Sequence, residues 1–150
     1  MDADWIVGDM DTLPKKWQAK FKDKIHREAE QDFNDQAKAF RFALNLIAED
    51  KKDIAYSIII LGATGKREDH TLGNISYLPV FAQTLKERFP KTEITVSTVT
   101  DYGVFVPILN TTRLNGEPGD RISIFAFDQT LQIKSTGLEY LHDLGFLPLG

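Results

Sequence analysis

The sequence predicts an α/β fold in which a mainly parallel, Rossmann-like sheet flanked by helices is followed by a β-sandwich. Over residues 1–92, short apolar runs alternate with segments of helical apolar spacing, in the order strand, helix, strand, helix, strand, helix. Beyond residue 92, short strand-like runs are separated by turn residues, a pattern typical of a sandwich. We therefore expect an α/β domain over 1–92 and a β-type domain over 93–150.

The composition fits a soluble globular protein of this size and excludes several classes of site. Of the 150 residues, 42% are apolar and 27% are charged. The net charge of −4 gives no bulk attraction for nucleic acid, so we expect no nucleic-acid partner. The absence of cysteine excludes thiolate metal sites and suits the cytoplasm, where we expect the protein. No apolar run approaches the ~18 residues of a membrane span, so we expect no membrane association.

Three strands and a short helix are predicted in the first domain from local signals. Residues 4–8 and 25–29 resemble short strands, and Tyr56–Leu61 is apolar enough to be a buried one. Pro14 suits the first turn of a helix over about 14–22, because proline has no N–H to satisfy there.

Two longer helices are predicted from apolar stripes at spacings of three and four residues. The first begins within the N-cap-rich run Asp32–Asp35, and the second runs to about Arg88 with Pro79 expected to kink or restart it. The stripe positions are Phe33, Ala37, Phe40, Leu44 and Ile47 in the first, and Leu72, Ile75 and Leu78 in the second.

The second domain is predicted from four strand-like runs. They cover Glu93–Val99, Tyr102–Leu109, Arg121–Phe127 and Leu131–Lys134. The boundary between the halves falls near 90–98, so the first of these strands can belong to either half.

An acidic turn follows the first predicted strand. Asp9 and Asp11 are two residues apart, so their carboxylates can share a hard cation, which prefers oxygen ligands. The simpler interpretation is a solvated turn in which Asp11 caps the next helix. An aspartyl-phosphate phosphatase motif, D-x-D-x-T, matches poorly because Thr12 stands one place early.

A second group of charges opens the helix that starts near residue 35. Asp35 and Lys38 are three residues apart and therefore lie on one side of its first turn. Asp35 can be an ordinary surface residue favoured by the helix dipole. It can also face the same sheet edge as Asp9 and Asp11, and three converging carboxylates would need a cation such as nucleotide-bound Mg²⁺.

A glycine-rich run, residues 62–70, lies where the third strand ends and the next helix begins. It reads Gly-Ala-Thr-Gly-Lys-Arg-Glu-Asp-His, and its glycines and Arg67 suit binding of a phosphate. It is not a Walker A loop, because only two residues separate Gly62 from Gly65. The simpler interpretation is a tight turn with an Arg67–Asp69 surface ion pair and Asp69 as the helix N-cap.

In this order, the three motifs resemble the thiamine pyrophosphokinase family. The family patterns G-D-x-D-S, Q-D-x-T-D-x-x-K-A and G-x-x-G-x-R-x-D-H-x-x-x-N correspond to residues 8–12, 31–39 and 62–74. The family also has an earlier strand with an Asp-Gly-Gly loop and a Ser-Asn near its C-terminus, which these residues lack, so we expect a fragment. The departures within the motifs are Thr12 for Ser, Asn34 for Thr and Lys66 for Gly.

The resemblance implies transfer of a diphosphoryl group from ATP to the hydroxyethyl group of thiamine, giving thiamine diphosphate and AMP. It implies Mg²⁺ on three carboxylates, and phosphate binding by Arg67 with Lys38 or Lys66 in support. Asp69 either orients Arg67 or accepts the hydroxyl proton, and His70 supports the turn. The implied metal ligands are Asp9, Asp11 and Asp35, which with Arg67 and Asp69 form the catalytic set.

The resemblance also implies binding residues and a homodimer with its site at the subunit interface. The alternatives are a nucleotide- or thiamine-binding fragment without catalysis, and a pyrophosphokinase acting on another alcohol such as a pterin. The implied nucleotide contacts are Gly8, Asp32, Lys38, Gly62, Gly65, Lys66, Arg67, His70 and Asn74, and the implied thiamine contacts are Ser123, Thr136 and Gly137.

Overall fold

A computed structural model describes residues 2–50, 52, 54–128, 130–139 and the backbone of 143–144. The chain divides into two compact units, Met1–Asn110 and Thr111–Gly150. The first is a mixed α/β unit, as the sequence predicts. Residues 129, 140–142 and 145–150 of the predicted second domain lie outside the described residues.

Strands and helices alternate along the first unit, and β3 has the predicted bounds. In chain order the elements are β1 (Ile6–Gly8), α1 (Lys15–Lys20), β2 (Ile25–Arg27), α2 (Asp35–Glu49), β3 (Tyr56–Leu61), α3 (Glu68–Arg88), β4 (Ile94–Val99) and β5 (Val104–Phe105), with a 3-10 turn over Lys22–Lys24.

The strands of this unit form two small sheets. β1 runs parallel to β2, with Ile6 opposite Ile25. β3 runs parallel to β4, with Tyr56 opposite Ile94, and β5 joins β4 in the antiparallel sense. A single mainly parallel sheet is therefore not confirmed. β4 pairs with β3 and lies in the first unit, which ends at Asn110, while the domain bounds 1–92 and 93–150 stay a prediction.

The core of the first unit lies between α2, α3 and β4. The rings of Phe40 on α2 and Phe81 on α3 stack with centroids 3.9 Å apart and planes 13° from parallel. Burial of each such side chain contributes roughly 1.5–3 kcal/mol. The buried residues of this cluster are Ala37, Phe40, Leu44, Leu78, Phe81, Leu85 and Val96.

The apolar stripes are partly corrected by the structure. Phe33 precedes α2 and is 40% exposed, and Leu72 is 62% exposed, so neither belongs to the core. α3 continues through Pro79 without restarting. One missing backbone hydrogen bond is offset there by burial of Leu78 before the proline and Phe81 after it.

The prediction that β3 is a buried strand is half wrong. Ile58 and Ile60 pack against the core cluster, whereas Ile59 is 58% and Leu61 is 72% exposed. Successive strand side chains point to opposite faces, and the core cluster contacts one face only.

The second unit has less regular structure than predicted. In its described part, β6 (Ile133–Lys134) and β7 (Asp143–Leu144) pair in the antiparallel sense. The predicted strand at Arg121–Phe127 is not a strand, and the run Tyr102–Leu109 contributes only β5, in the first unit. A strand-like run of side chains does not by itself provide the neighbouring strand with which its backbone must form hydrogen bonds. The β-sandwich is not confirmed.

None of the described helices is both long and apolar enough to cross a membrane.

Candidate functional site

A cavity of about 820 Å³ brings the three sequence motifs together. Its walls come from the end of β1, the loop before α2, the first turns of α2, β3 with its following turn, and the start of α3. The predicted site residues that line it are Asp9, Asp32, Asp35, Lys38, Gly62, His70 and Asn74. Those of the first unit that do not are Gly8, Asp11, Gly65, Lys66, Arg67 and Asp69.

Asp9 is held in a tight turn directly after β1. Its Oδ1 accepts a hydrogen bond from the backbone N–H of Asp11 at 3.0 Å. This bond is the largest cause that lowers the pKa of Asp9, and the Gln31 side chain and the charge of Lys38 lower it further. Asp9 is therefore an ionised carboxylate at the cavity wall. Asp11 does not cap α1, whose N-cap is Pro14 without a side-chain bond.

Asp35 lies beside the backbone of this turn. A Cβ atom added to Gly8 would meet the Oδ1 of Asp35 at 3.0 Å, and Gly8 itself has a φ of +148°. Glycine at position 8 thus permits both the backbone conformation and the close approach of the carboxylate. The end of β1 and the start of α2 meet here, and Asp9 and Asp35 line one cavity.

Lys38 lies one helical turn after the α2 N-cap. It is 2% exposed, which is rare for a lysine without a nearby anion. Its positive charge contributes to the lowered pKa of Asp9. Lys38, Asp9 and Asp35 line the same cavity, so its wall carries basic and acidic side chains together.

The turn after β3 needs its glycines for backbone conformation. Gly62 has a φ of +69° and Gly65 a φ of +103°, values that other residues rarely adopt. A Cβ at either position would meet no atom within 4 Å. The space beside the turn is therefore open, and a ligand can approach its backbone there.

Arg67 and Asp69 form an ion pair at the start of α3. The Arg67 Nε donates to Asp69 Oδ1 at 3.1 Å, and Nη2 donates to Oδ2. This pairing lowers the pKa of Asp69 and raises that of Arg67. The side chains are 66% and 64% exposed, and neither lines the cavity. The N-cap of α3 is Arg67 rather than Asp69.

The predicted trio of metal ligands is not assembled among the described residues. No group of three or more Asp, Glu or His side chains there is arranged to hold a metal ion. Asp9 and Asp35 share the cavity, whereas Asp11 does not line it.

The predicted thiamine-binding residues belong to the second unit. Ser123, Thr136 and Gly137 are all exposed, and Gly137 has a φ of +81°.

Three polar residues that line the cavity were not predicted as site residues. They are Gln31, whose side chain lowers the pKa of Asp9, and Asn34 and Gln36, which donate hydrogen bonds to Asn74. Gln31 and Asn34 occupy defined positions of the second sequence motif, and that is the signal that could have identified them, whereas Gln36 stands at a variable position.

Comparison with protein families identifies the family to which the chain belongs. The family model of the thiamin pyrophosphokinase catalytic domain matches residues 1–89, more than half of the chain. The chain belongs to the thiamin pyrophosphokinase family. The match contains all three motifs and ends before β4, so Ser123, Thr136 and Gly137 lie beyond it. A search of curated proteins gave no match. At the family level the finding supports a transferase of thiamine metabolism, with ATP and thiamine as substrates.

Proposed function

We propose that this protein transfers a diphosphoryl group from ATP to the hydroxyethyl group of thiamine, giving thiamine diphosphate and AMP. The observation that carries the proposal is the shared cavity of the three motifs, all within the region that matches the family's catalytic domain. The carboxylates of Asp9 and Asp35, the buried Lys38 and the open glycine turn supply the charged groups and the accessible backbone that binding of a nucleoside triphosphate needs.

In the proposed reaction, the thiamine hydroxyl oxygen attacks the β-phosphorus of ATP. The bond between the β-phosphorus and the oxygen bridging to the α-phosphorus breaks, AMP leaves, and the hydroxyl proton passes to a base. Such transfers depend on positioning and neutralisation of charge more than on covalent catalysis. Lys38 is suited to neutralise phosphate at the cavity wall, and Arg67 to bind phosphate in the orientation fixed by Asp69.

The donor set at the cavity fits Mg²⁺. Asp9 and Asp35 offer carboxylate oxygens on one cavity, and the pKa of Asp9 is lowered, so its oxygens are charged at neutral pH. Mg²⁺ commonly takes one or two protein carboxylates and completes its octahedron with water and substrate phosphates. Asp9 and Asp35 would therefore hold the ion, with Asp11 near it in the turn. When bound, Mg²⁺ would neutralise charge that develops on the phosphate oxygens.

The acceptor side of the proposal rests on the family resemblance. We propose that Ser123, Thr136 and Gly137 contact thiamine, and that the working protein is a cytoplasmic homodimer with its site at the subunit interface. The thiazolium ring of thiamine is cationic, so a net acidic protein suits this substrate. Sedimentation at several concentrations tests the dimer separately from the reaction.

Phosphorus NMR of the protein with Mg-ATP and thiamine tests the reaction. We expect signals of AMP and thiamine diphosphate to grow in equal amounts. ADP or free phosphate as the product would contradict diphosphoryl transfer. A pterin alcohol in place of thiamine tests the other acceptor, and tight nucleotide binding without turnover would indicate a binding protein instead.

A pair of aspartate variants tests the carboxylate site. Asp9→Asn removes a charge at the cavity and should lower kcat/KM by about 10²-fold or more. Asp101→Asn removes an equal charge from an exposed bend and serves as the matched control. Equal activity of the two variants would contradict a role for Asp9.

A further inference from the structure

We propose that Asn34 and Asn74 form an amide relay that positions the glycine turn, residues 62–65, against the first turn of α2. The inference rests on the proposed function, because its catalytic consequence is the placing of a phosphate-binding turn beside the carboxylates. In the relay, Asn34 and Asn74 act as positioning residues.

The relay consists of three hydrogen bonds in series. The Asn34 Oδ1 accepts from the backbone N–H of Ala37 at 2.9 Å, which caps α2. The Asn34 Nδ2 donates to Asn74 Oδ1 at 2.9 Å. The Asn74 Nδ2 then donates to the backbone carbonyl of Ala63 at 2.9 Å. The path joins α2, α3 and the turn after β3.

The direction of the relay is fixed at both ends. An N–H of Ala37 can only donate, and a carbonyl of Ala63 can only accept. Reversing the Asn74 amide would place its oxygen against the Ala63 oxygen and its NH₂ against that of Asn34. Each amide therefore has one favourable orientation, which makes the relay a specific linkage.

The glycine turn depends on this linkage at its buried residue. Ala63 is 6% exposed, whereas Gly62 and Gly65 on either side have open space around them. Gln36 forms a second hydrogen bond between α2 and α3, because its Nε2 donates to the backbone carbonyl of Asn74 at 3.0 Å. The Asn74 Oδ1 and Nδ2 each make one hydrogen bond of the relay, so this side chain links Asn34 to the turn.

Variants at the two asparagines separate the relay from the helix cap. Asn34→Ser keeps a good N-cap but is too short to reach Asn74. Asn74→Asp keeps the acceptor for Asn34 and replaces the donor to Ala63. We expect either variant to raise the KM for ATP about three- to tenfold, the effect of one hydrogen bond, with a smaller change in kcat.

The apo protein gives a readout that needs no substrate. Backbone ¹⁵N order parameters of Ala63, Thr64 and Gly65 should fall from about 0.85 toward 0.6 in Asn34→Ser and in Asn74→Asp. The double variant should show no further fall than Asn74→Asp alone, because both changes interrupt one path.

Asn45→Ala is the matched control. Asn45 also joins α2 to α3, since its Oδ1 accepts from Arg88 Nη2 at 2.8 Å, near the ends of the helices remote from the site. We expect it to leave the order parameters of the turn and the KM for ATP unchanged. Unchanged order parameters in both relay variants, or an equal fall in Asn45→Ala, would overturn the relay. Absence of diphosphoryl transfer by the wild-type protein would refute the proposed function, while the apo measurement still decides the relay.

Discussion

Replacing Gly8 with alanine tests how the acidic turn and α2 fit together. Gly8 has a φ of +148°, which side-chain-bearing residues rarely adopt, and its added methyl group would lie 3.0 Å from Asp35 Oδ1. The variant therefore introduces two separate costs, one in the backbone and one against a carboxylate. Both act at the junction that brings Asp9 and Asp35 to the cavity.

The backbone cost is expected to dominate. A non-glycine residue held in such a region costs about 1–3 kcal/mol. The contact adds less, because the Asp35 carboxylate ends a rotatable side chain and can turn away by a few tenths of an ångström. In a domain of about 100 residues, each kcal/mol lowers Tm by roughly 4–8 °C.

A glycine series isolates the two costs by urea unfolding. Gly65 has a φ of +103°, and a Cβ added to it would meet no atom within 4 Å, so Gly65→Ala reports backbone strain alone. Gly73→Ala lies inside α3 with no neighbour within 4 Å, and should stabilise by about 0.5–1 kcal/mol. Asp35→Ala as a background removes the contact and should make Gly8→Ala less costly.

Two results would refute this reasoning. If Gly8→Ala unfolds at the same urea concentration as Gly73→Ala, position 8 has no strained backbone. If its cost is the same with and without Asp35→Ala, the carboxylate does not press on this position.

Three further predictions concern the core and the charged groups. Phe40→Ala should lower the free energy of unfolding by about 3–5 kcal/mol in urea titration, because a buried ring is lost. Arg67→Ala should raise the pKa of Asp69, measured by NMR titration of its carboxyl group, because the pairing that lowers this pKa is lost. In the wild type the pair therefore stabilises the fold at neutral pH, and this stabilisation is lost as the pH falls through the lowered pKa of Asp69. Lys38→Met should raise the pKa of Asp9 but leave it below its ordinary value, because the hydrogen bond from the backbone N–H of Asp11, the largest cause that lowers it, remains.

Local signals predicted α2 and β3 well. The N-cap Asn34 lies within the predicted run Asp32–Asp35, and Ala37, Phe40 and Leu44 of the predicted stripe are buried. The bounds of β3 follow from a continuous apolar run. Strand partners were harder to predict, because pairing joins residues far apart in sequence. Arg121–Phe127 is a strand-like run in sequence, but its residue types do not determine whether a neighbouring strand is available.

The candidate site was predicted where its residues lie in recognisable motifs. Asp9, Asp35 and Lys38, which lie in two of these motifs, line one cavity. The link between Asn34 and Asn74 could not be predicted, because it joins side chains forty positions apart across two helices. Sequence order indicates which elements meet at an edge, but the pairing of amides depends on how the helices pack.

The first turn of α2 connects every part of the candidate site. Asn34 bonds through Asn74 to the glycine turn, Asp35 lies against Gly8, and Lys38 lowers the pKa of Asp9. Residues one and four positions after the cap project from one helix, so their spacing is set by the helix and not by flexible loops. The core contacts of Phe40 on the following turn hold that helix in place. Packing of α2 therefore determines whether the acidic turn and the glycine turn meet, which explains why three motifs distant in sequence can share one cavity.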